Sequence, residues 1–280
     1  MSGSWRHVSA SVAGTSHLRD GRPCQDASVC VTLLDDERRE LLVAAVSDGA
    51  GSAAHSDVGS ALACSLFVDE LRALLETGGS VADVTPDFAR DWLRRFAAEI
   101  AVRAEAMEST PRELACTLLA AAVSEDRAVF LQVGDGAIVF ATEEEPGALD
   151  VAVWPQQGEY ANVTFFATDP SAADRISHRV VEQRVDRLAV FSDGLQMLAL
   201  SFADQSAFQP FFEPLFGTLE GASEEAVAEL GEPLEAFLGS PRVNARTDDD
   251  KSLILASRRW QRETGEGAAR RRQEAEAAGP

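Results

Sequence analysis

Five aspartates in this 280-residue chain stand at the edges of apolar runs, apart from the polar stretches that hold most of its 46 acidic residues. Asp48 follows LLVAAVS and leads into Gly49-Ala-Gly-Ser; Asp135 follows AVFLQV-Gly and Asp193 follows RLAVFS, each with a glycine next. Asp26 stands just before SVCVTLL, and Asp249 just before KSLILA. A carboxylate at the end of a buried strand is costly to desolvate unless positive charge meets it. Few basic side chains are expected near these five. Gathered at one end of a sheet, they would repel one another by several kcal/mol unless cations sat between them. Hard divalent ions fit that need, because Mg²⁺ and Mn²⁺ take carboxylate, carbonyl and water ligands. The glycines after Asp48, Asp135 and Asp193 are expected to allow tight turns and to expose carbonyls as ligands. Two ions about 3.5–4 Å apart suit hydrolysis of a phosphoester by an activated water. A single Asp-Gly is an ordinary turn dipeptide; the ordered set is what points to a site.

The elements that must position these residues can be read from apolar periodicity. Strands are expected at Arg6 to Val12, Ser28 to Leu34 and Leu41 to Val46, with Asp35 to Glu40 as a polar hairpin loop. Val58, Leu62, Leu66, Leu71 and Leu74 recur at helical spacing over Ser56 to Glu76, closed by Gly78-Gly79. Phe88, Trp92, Phe96 and Ile100 mark a second helix, with Pro86 near its start. A strand meander follows at Ala115 to Val123, Ala128 to Val133, Ala137 to Thr142, Leu149 to Trp154 and Asn162 to Ala167. Arg179 to Arg184 and Arg187 to Phe191 are expected to pair around Asp186. Phe208 to Phe216 reads as a helix, Val227 to Phe237 as another, and Ser252 to Ala256 as the last strand. Segregated strand and helix blocks favour an α+β sandwich over a doubly wound parallel sheet.

Composition is that of a globular protein, 45% hydrophobic and 25% charged. With 25 basic and 46 acidic residues the formal net charge is −21, which opposes nucleic acid and anionic membrane as partners. The acidity serves metal binding or merely solubility. No apolar run reaches the roughly 18–20 residues of a membrane span, and residues 1–7 lack a signal-peptide apolar core. Cys24, Cys30, Cys64 and Cys116 show no zinc-ligand spacing and suit free thiols in a reducing cytosol. Residues 1–260 are expected to form one domain, and 261–280, which include Arg270-Arg-Arg, a disordered or frayed-helix tail.

Taken in order, Gly14-Thr-Ser-His with Cys24-Gln-Asp26, Val46-Ser-Asp48-Gly-Ala-Gly-Ser, Ala115-Cys-Thr117-Leu-Leu, Val133-Gly-Asp135-Gly, Phe191-Ser-Asp193-Gly and Asp249-Asp-Lys-Ser-Leu span about residues 5–257. This series resembles that of the protein phosphatase 2C family, metal-dependent serine/threonine phosphatases, and its bacterial branch in particular. The resemblance implies a four-layer α-β-β-α sandwich: a central antiparallel β-sandwich flanked by helix pairs. It also implies a cytoplasmic signalling enzyme that dephosphorylates proteins with two, or three, Mn²⁺ or Mg²⁺ ions, opposite a cognate serine/threonine kinase. By that resemblance Asp48 bridges two metals and the Gly49 carbonyl binds the first. Asp193 and Asp249 bind the second, Asp26 holds a metal-bound water, and Asp135 with Asp193 takes a third. A metal-bridging water would attack phosphorus in line, with no phosphoenzyme. Thr117 is given a supporting structural role.

Several positions depart from the family pattern. An arginine usually grips the substrate phosphate before the first acidic motif; here Thr15-Ser16-His17 stands in its place. His17 or Arg22 would substitute, or His17 caps a turn. Gln25 replaces a common glutamate, and Ala50 a histidine proposed as general acid, so another group must protonate the leaving alkoxide. Asn162 and Thr164, in a variable loop, either touch substrate or satisfy turn backbone. The missing arginine and Gln25 keep open a degenerate phosphatase that binds a kinase or phosphopeptide without turnover; a third reading, a phosphoesterase for small metabolites, shares the site but not the substrate.

Overall fold

The run Leu41 to Val46 has no polar side, and a strand with that pattern needs apolar cover on both faces. The computed structural model, which describes residues 5–145, 147–155 and 164–258, provides it. Along the chain come β1 (Trp5–Val12), α1 (Thr15–Asp20), β2 (Ala27–Leu34), β3 (Glu40–Ser47), α2 (Ser56–Glu76), α3 (Pro86–Ala106), β4 (Leu118–Val123), β5 (Ala128–Val133) and β6 (Ala137–Thr142). Then follow β7 (Asp150–Val151), α4 (Ala172–Arg175), β8 (Ser177–Val181), β9 (Val185–Phe191), α5 (Gln196–Ala199), β10 (Leu200–Ser201) and β11 (Ser206–Ala207). The described chain closes with α6 (Gln209–Gly221), α7 (Glu224–Ala228), α8 (Gly231–Leu238), α9 (Pro241–Asn244) and β12 (Lys251–Arg258).

The strands form two antiparallel five-stranded sheets, ordered β2-β3-β4-β5-β8 and β1-β12-β9-β6-β7, and β10 and β11 make a small separate hairpin. Alternation along β3 sends Val43 and Ala45 toward α2 and α3, and Leu42, Ala44 and Val46 toward the other sheet. Three apolar cores result. One joins the first sheet to α2 and α3 through Phe67, Trp92 and Phe96. One lies between the sheets around Phe130, Phe140, Leu188 and Ile254. The third joins the second sheet to α6 and α8 through Phe212, Phe216 and Leu238. The fold is the expected α+β four-layer α-β-β-α sandwich.

Local differences have local causes. Leu149 to Trp154 yields only the two-residue β7, and residues 164–167 are coil and turn. Asn162 and the expected 261–280 tail lie outside the described residues. The helix expected over Val227 to Phe237 breaks into α7 and α8: Ser223 caps the first through the Ala226 N–H, and Gly231 opens the second. Asp186 is no turn residue; it is buried within β9, bonded by Arg184 at 2.8 Å.

Phe130 is fully buried between the sheets and stacks on Phe140 with ring centroids 5.0 Å apart. Phe130→Ala should lose about 3–5 kcal/mol of stability, read as a lower urea midpoint at unchanged slope.

Candidate metal centre

Strand register places the five aspartates at one pole of the sandwich. Ala27 pairs with Ser47, so Asp26 and Asp48 each lie one residue past the same pair. Phe191 pairs with Ala137 on one side and Leu253 on the other, which puts Asp193, Asp135 and the 248–250 loop together. Asp48, Asp135 and Asp193, all half-buried, bring carboxylate oxygens within 4.8 Å of one another. Asp26 lies deeper, 8% exposed, and accepts a hydrogen bond from the Ser192 hydroxyl at 2.6 Å. Asp249 is exposed at the rim, but its charge still bears on Asp48, Asp135 and Asp193. Asp26 and Asp249 stay outside the tightest set, which is that of the first three.

Asp48 is cradled by Thr117. The Thr117 hydroxyl accepts from the Asp48 N–H at 2.9 Å, and the Thr117 N–H donates to the Asp48 carbonyl at 2.8 Å. The Thr164 hydroxyl donates to Asp135 at 2.7 Å, so it serves this carboxylate rather than turn backbone. Of the three glycines expected to make tight turns, Gly136 alone has a left-handed φ, +85°. Gly49 and Gly194 are required by close approach instead: a Cβ would stand 2.5 Å from the Gln25 carbonyl oxygen at one and 2.0 Å from the Asp250 carbonyl oxygen at the other.

The electrostatics are those of crowded like charges. Burial, then Asp26 and Asp193, raises the Asp48 carboxyl well above the usual carboxylate range. Burial, then Asp135 and Asp249, pushes Asp193 up to about 7. Burial pushes Asp26 up to about 7 as well, against the opposing Ser192 hydrogen bond and with the Asp250 charge adding to the rise. Burial also raises Asp135. Asp26 Oδ1 and Asp135 Oδ1 are buried acceptors without a donor. Unpaired, converging, oxygen-only donors are a ligand set for a hard divalent cation, so these residues fit the metal that the sequence implies.

Two functional residues escape a reading of residue types alone. Asp250, next to the expected ligand Asp249, is 2% exposed. It accepts from the Gly14 N–H at 2.6 Å, the Gln25 N–H at 2.5 Å and His17 Nδ1 at 2.8 Å. It thereby ties both ends of the 14–25 segment, from the α1 N-cap through α1 to the loop before Asp26, to the strand that follows Asp250. Lys251, the only lysine in the sequence, is fully buried, with Nζ on the Asn244 side-chain oxygen at 3.1 Å and the Asp249 carbonyl at 3.0 Å. The expectation that little basic charge flanks the acidic set is corrected here: an ammonium stands behind Asp249. His17 is buried on Asp250, while Arg22, partly exposed, donates to the Gly51 carbonyl at 2.5 Å, next to the Asp48 turn. No thiol competes as a nucleophile at this pole: burial and the charges of Asp26 and Asp250 push Cys24 up to about 12.

A β-sandwich whose strand ends gather carboxylates for a hard cation is the build of a metal-dependent phosphatase. Comparison with known proteins agrees. The family model described as Protein phosphatase 2C matches residues 13–238. The chain is 38% identical over 255 residues to serine/threonine-protein phosphatase 3 of Escherichia coli (strain K12), covering 90% of this chain and 98% of that one. Among solved structures it is similar to the serine/threonine phosphatase Stp1 from Staphylococcus aureus, at 17% identity, TM-score 0.56, and 92% and 96% coverage of the two chains. It is likewise similar to PppA, described as a key regulatory component of T6SS in Pseudomonas aeruginosa, at 19% identity, TM-score 0.60, and 91% and 99% coverage. The chain belongs to the protein phosphatase 2C family, metal-dependent hydrolases of the serine/threonine-protein phosphatase class.

Two measurements probe the site. With Asp26 and Asp193 titrating near 7 when folded and near 4 when unfolded, the folded metal-free chain holds protons that the unfolded chain has released. Its thermal stability should therefore fall as pH rises from about 4 to about 8, and added Mn²⁺ should restore it most at the high end. A flat profile in EDTA would contradict the crowding. Asp250→Ala leaves two buried N–H groups and His17 without their acceptor. It should cost about 3 kcal/mol in denaturant unfolding and weaken Mn²⁺ binding by calorimetry.

Proposed function

We propose that this chain hydrolyses phosphoserine and phosphothreonine esters of proteins with two Mn²⁺ or Mg²⁺ ions, Asp135 and Asp193 being placed to take a third. The observation that carries this reading is the convergence of Asp48, Asp135 and Asp193 at the strand ends, with Asp26 and Asp249 beside them. In this reading Asp48 and the Gly49 carbonyl would hold the first ion, and Asp48 with Asp193 and Asp249 would hold the second. When bound, the ions neutralise phosphoryl charge and supply a water acidic enough to attack phosphorus directly, with no phosphoenzyme.

The remaining work falls to the chain itself. Asp26, held by Ser192 behind Asp48, serves as a hydrogen-bond acceptor for solvent. Thr117 fixes the Asp48 backbone and so the direction of its carboxylate. Arg22 keeps its guanidinium beside the Asp48 turn and takes the phosphate-gripping role; His17, buried on Asp250, acts as a positioning residue. Buried Ala50 offers no proton, so the leaving alkoxide takes its proton from solvent. Four free cysteines, three of them buried, suit a reducing cytoplasm, where a cognate kinase would supply the substrate.

The test is release of phosphate from a phosphothreonine peptide with Mn²⁺, with Mg²⁺ and with EDTA, alongside a small phosphorylated metabolite and Asp48→Asn. Metal-dependent release from the peptide is expected. Asp48→Asn should lower it about a thousandfold or more, the several kcal/mol that the ions contribute. The same variant should melt no lower than the parent in EDTA at pH 7.5, because one member of the repelling set is gone. Tight peptide binding without turnover would favour the scaffold reading.

A further inference from the structure

Among the aromatic residues of the 208–216 segment, Phe212 and Phe216 enter the core, but Phe208 stays 48% exposed. Nearby, Met197 is 61% exposed. The two line a shallow groove of about 550 Å³ together with Leu198, Leu200, Arg242 and Arg246. Neither guanidinium has an ion-pair partner among the described residues, although acidic residues outnumber basic ones by 46 to 25 across the chain. An open apolar floor edged by two uncommitted arginines is unusual on so acidic a surface and marks a binding face.

Its place in the fold ties it to the metal centre. Met197 follows Asp193 by four residues, through the 3-10 turn Asp193–Leu195 and into α5. Arg246 precedes Asp249 by three residues, between α9 and β12. At 3.8 Å per Cα step, these groove residues lie at most about 15 Å and about 11 Å from the two aspartates. An extended peptide covers that span in about three to five residues.

We propose that this groove binds the stretch of the phosphoprotein substrate flanking its phosphorylated residue, and prefers one with an acidic side chain beside a bulky apolar one, three to five residues from the phosphate. The proposal rests on the reading that phosphoesters are hydrolysed at the carboxylate cluster. Charge complementarity favours this occupant: the arginines pair with carboxylates and the Met197–Phe208 floor covers the apolar side chain. A basic segment would be drawn elsewhere on this surface and repelled here.

The experiment uses the full chain with Mn²⁺ and phosphothreonine peptides carrying Glu-Leu, Lys-Leu or Glu-Ala three to five residues from the phosphate, on either side. Unphosphorylated fluorescent versions are followed by anisotropy. The Glu-Leu peptide should show about tenfold higher kcat/KM than Lys-Leu, the size expected of two partly exposed ion pairs. Arg242→Glu with Arg246→Glu should reverse that order, and Met197→Asp should abolish the preference for Leu over Ala. These three side chains are exposed, so the variants should fold. Equal rates for all peptides, or an order that survives the double reversal, would overturn the groove. If neither the peptides nor p-nitrophenyl phosphate is hydrolysed, the phosphatase reading falls, and the anisotropy decides the groove alone: a Glu-Leu preference keeps it as a peptide site, and none removes it.

Discussion

Mutual repulsion among carboxylates is the constraint around which this molecule is built. Asp48, Asp135 and Asp193 converge, and Asp26 and Asp249 add their charge from behind and beside. Such an arrangement survives only on a frame that resists being pushed apart. The frame here is two antiparallel sheets with apolar material on every face, so the strand ends carrying the acids cannot splay without opening a core. Protons relieve part of that repulsion at low pH, and a divalent cation bound there would relieve it at higher pH, coupling its binding to stability.

Backbone contacts finish what the strands begin. Asp250 draws in Gly14, His17 and Gln25, and Gly194 presses against the Asp250 carbonyl, so the 14–25 segment and the 193–195 turn share one anchor just before β12. That anchor is itself a buried acid. Its cost is offset by three hydrogen bonds, whereas the neighbouring Asp249 stays exposed at the rim, its carboxylate accepting from the Asp250 N–H at 2.9 Å. Adjacent residues of one type thus stand in opposite surroundings, one buried and hydrogen-bonded, the other at the rim.

Much of this was legible beforehand because the pattern was strong. The bounds of α2 and β6 follow from helical spacing and an unbroken apolar run, and the sandwich follows from segregated blocks. The acidic set was visible because each member borders a buried strand. What was hidden depended on tertiary neighbours. Nothing in Asp248-Asp249-Asp250 tells which carboxylate turns inward; that is decided by where Gly14 and Gln25 place their N–H groups. Lys251 opens the KSLILA run, but nothing in its type tells that the Asn244 side chain and the Asp249 carbonyl hold its amine inside. Leu149 to Trp154 had strand composition, but only Val139 and Phe140 of β6 offer it a ladder.

The burial of Lys251 has a chemical consequence beyond the site. As the sequence has no other lysine, the described surface presents guanidinium groups but no side-chain primary amine. Acylating reagents and enzymes that modify lysine find nothing to attack there while the sandwich stays closed. Exposure of that amine accompanies loss of the fold, which makes it a built-in reporter of opening around β12.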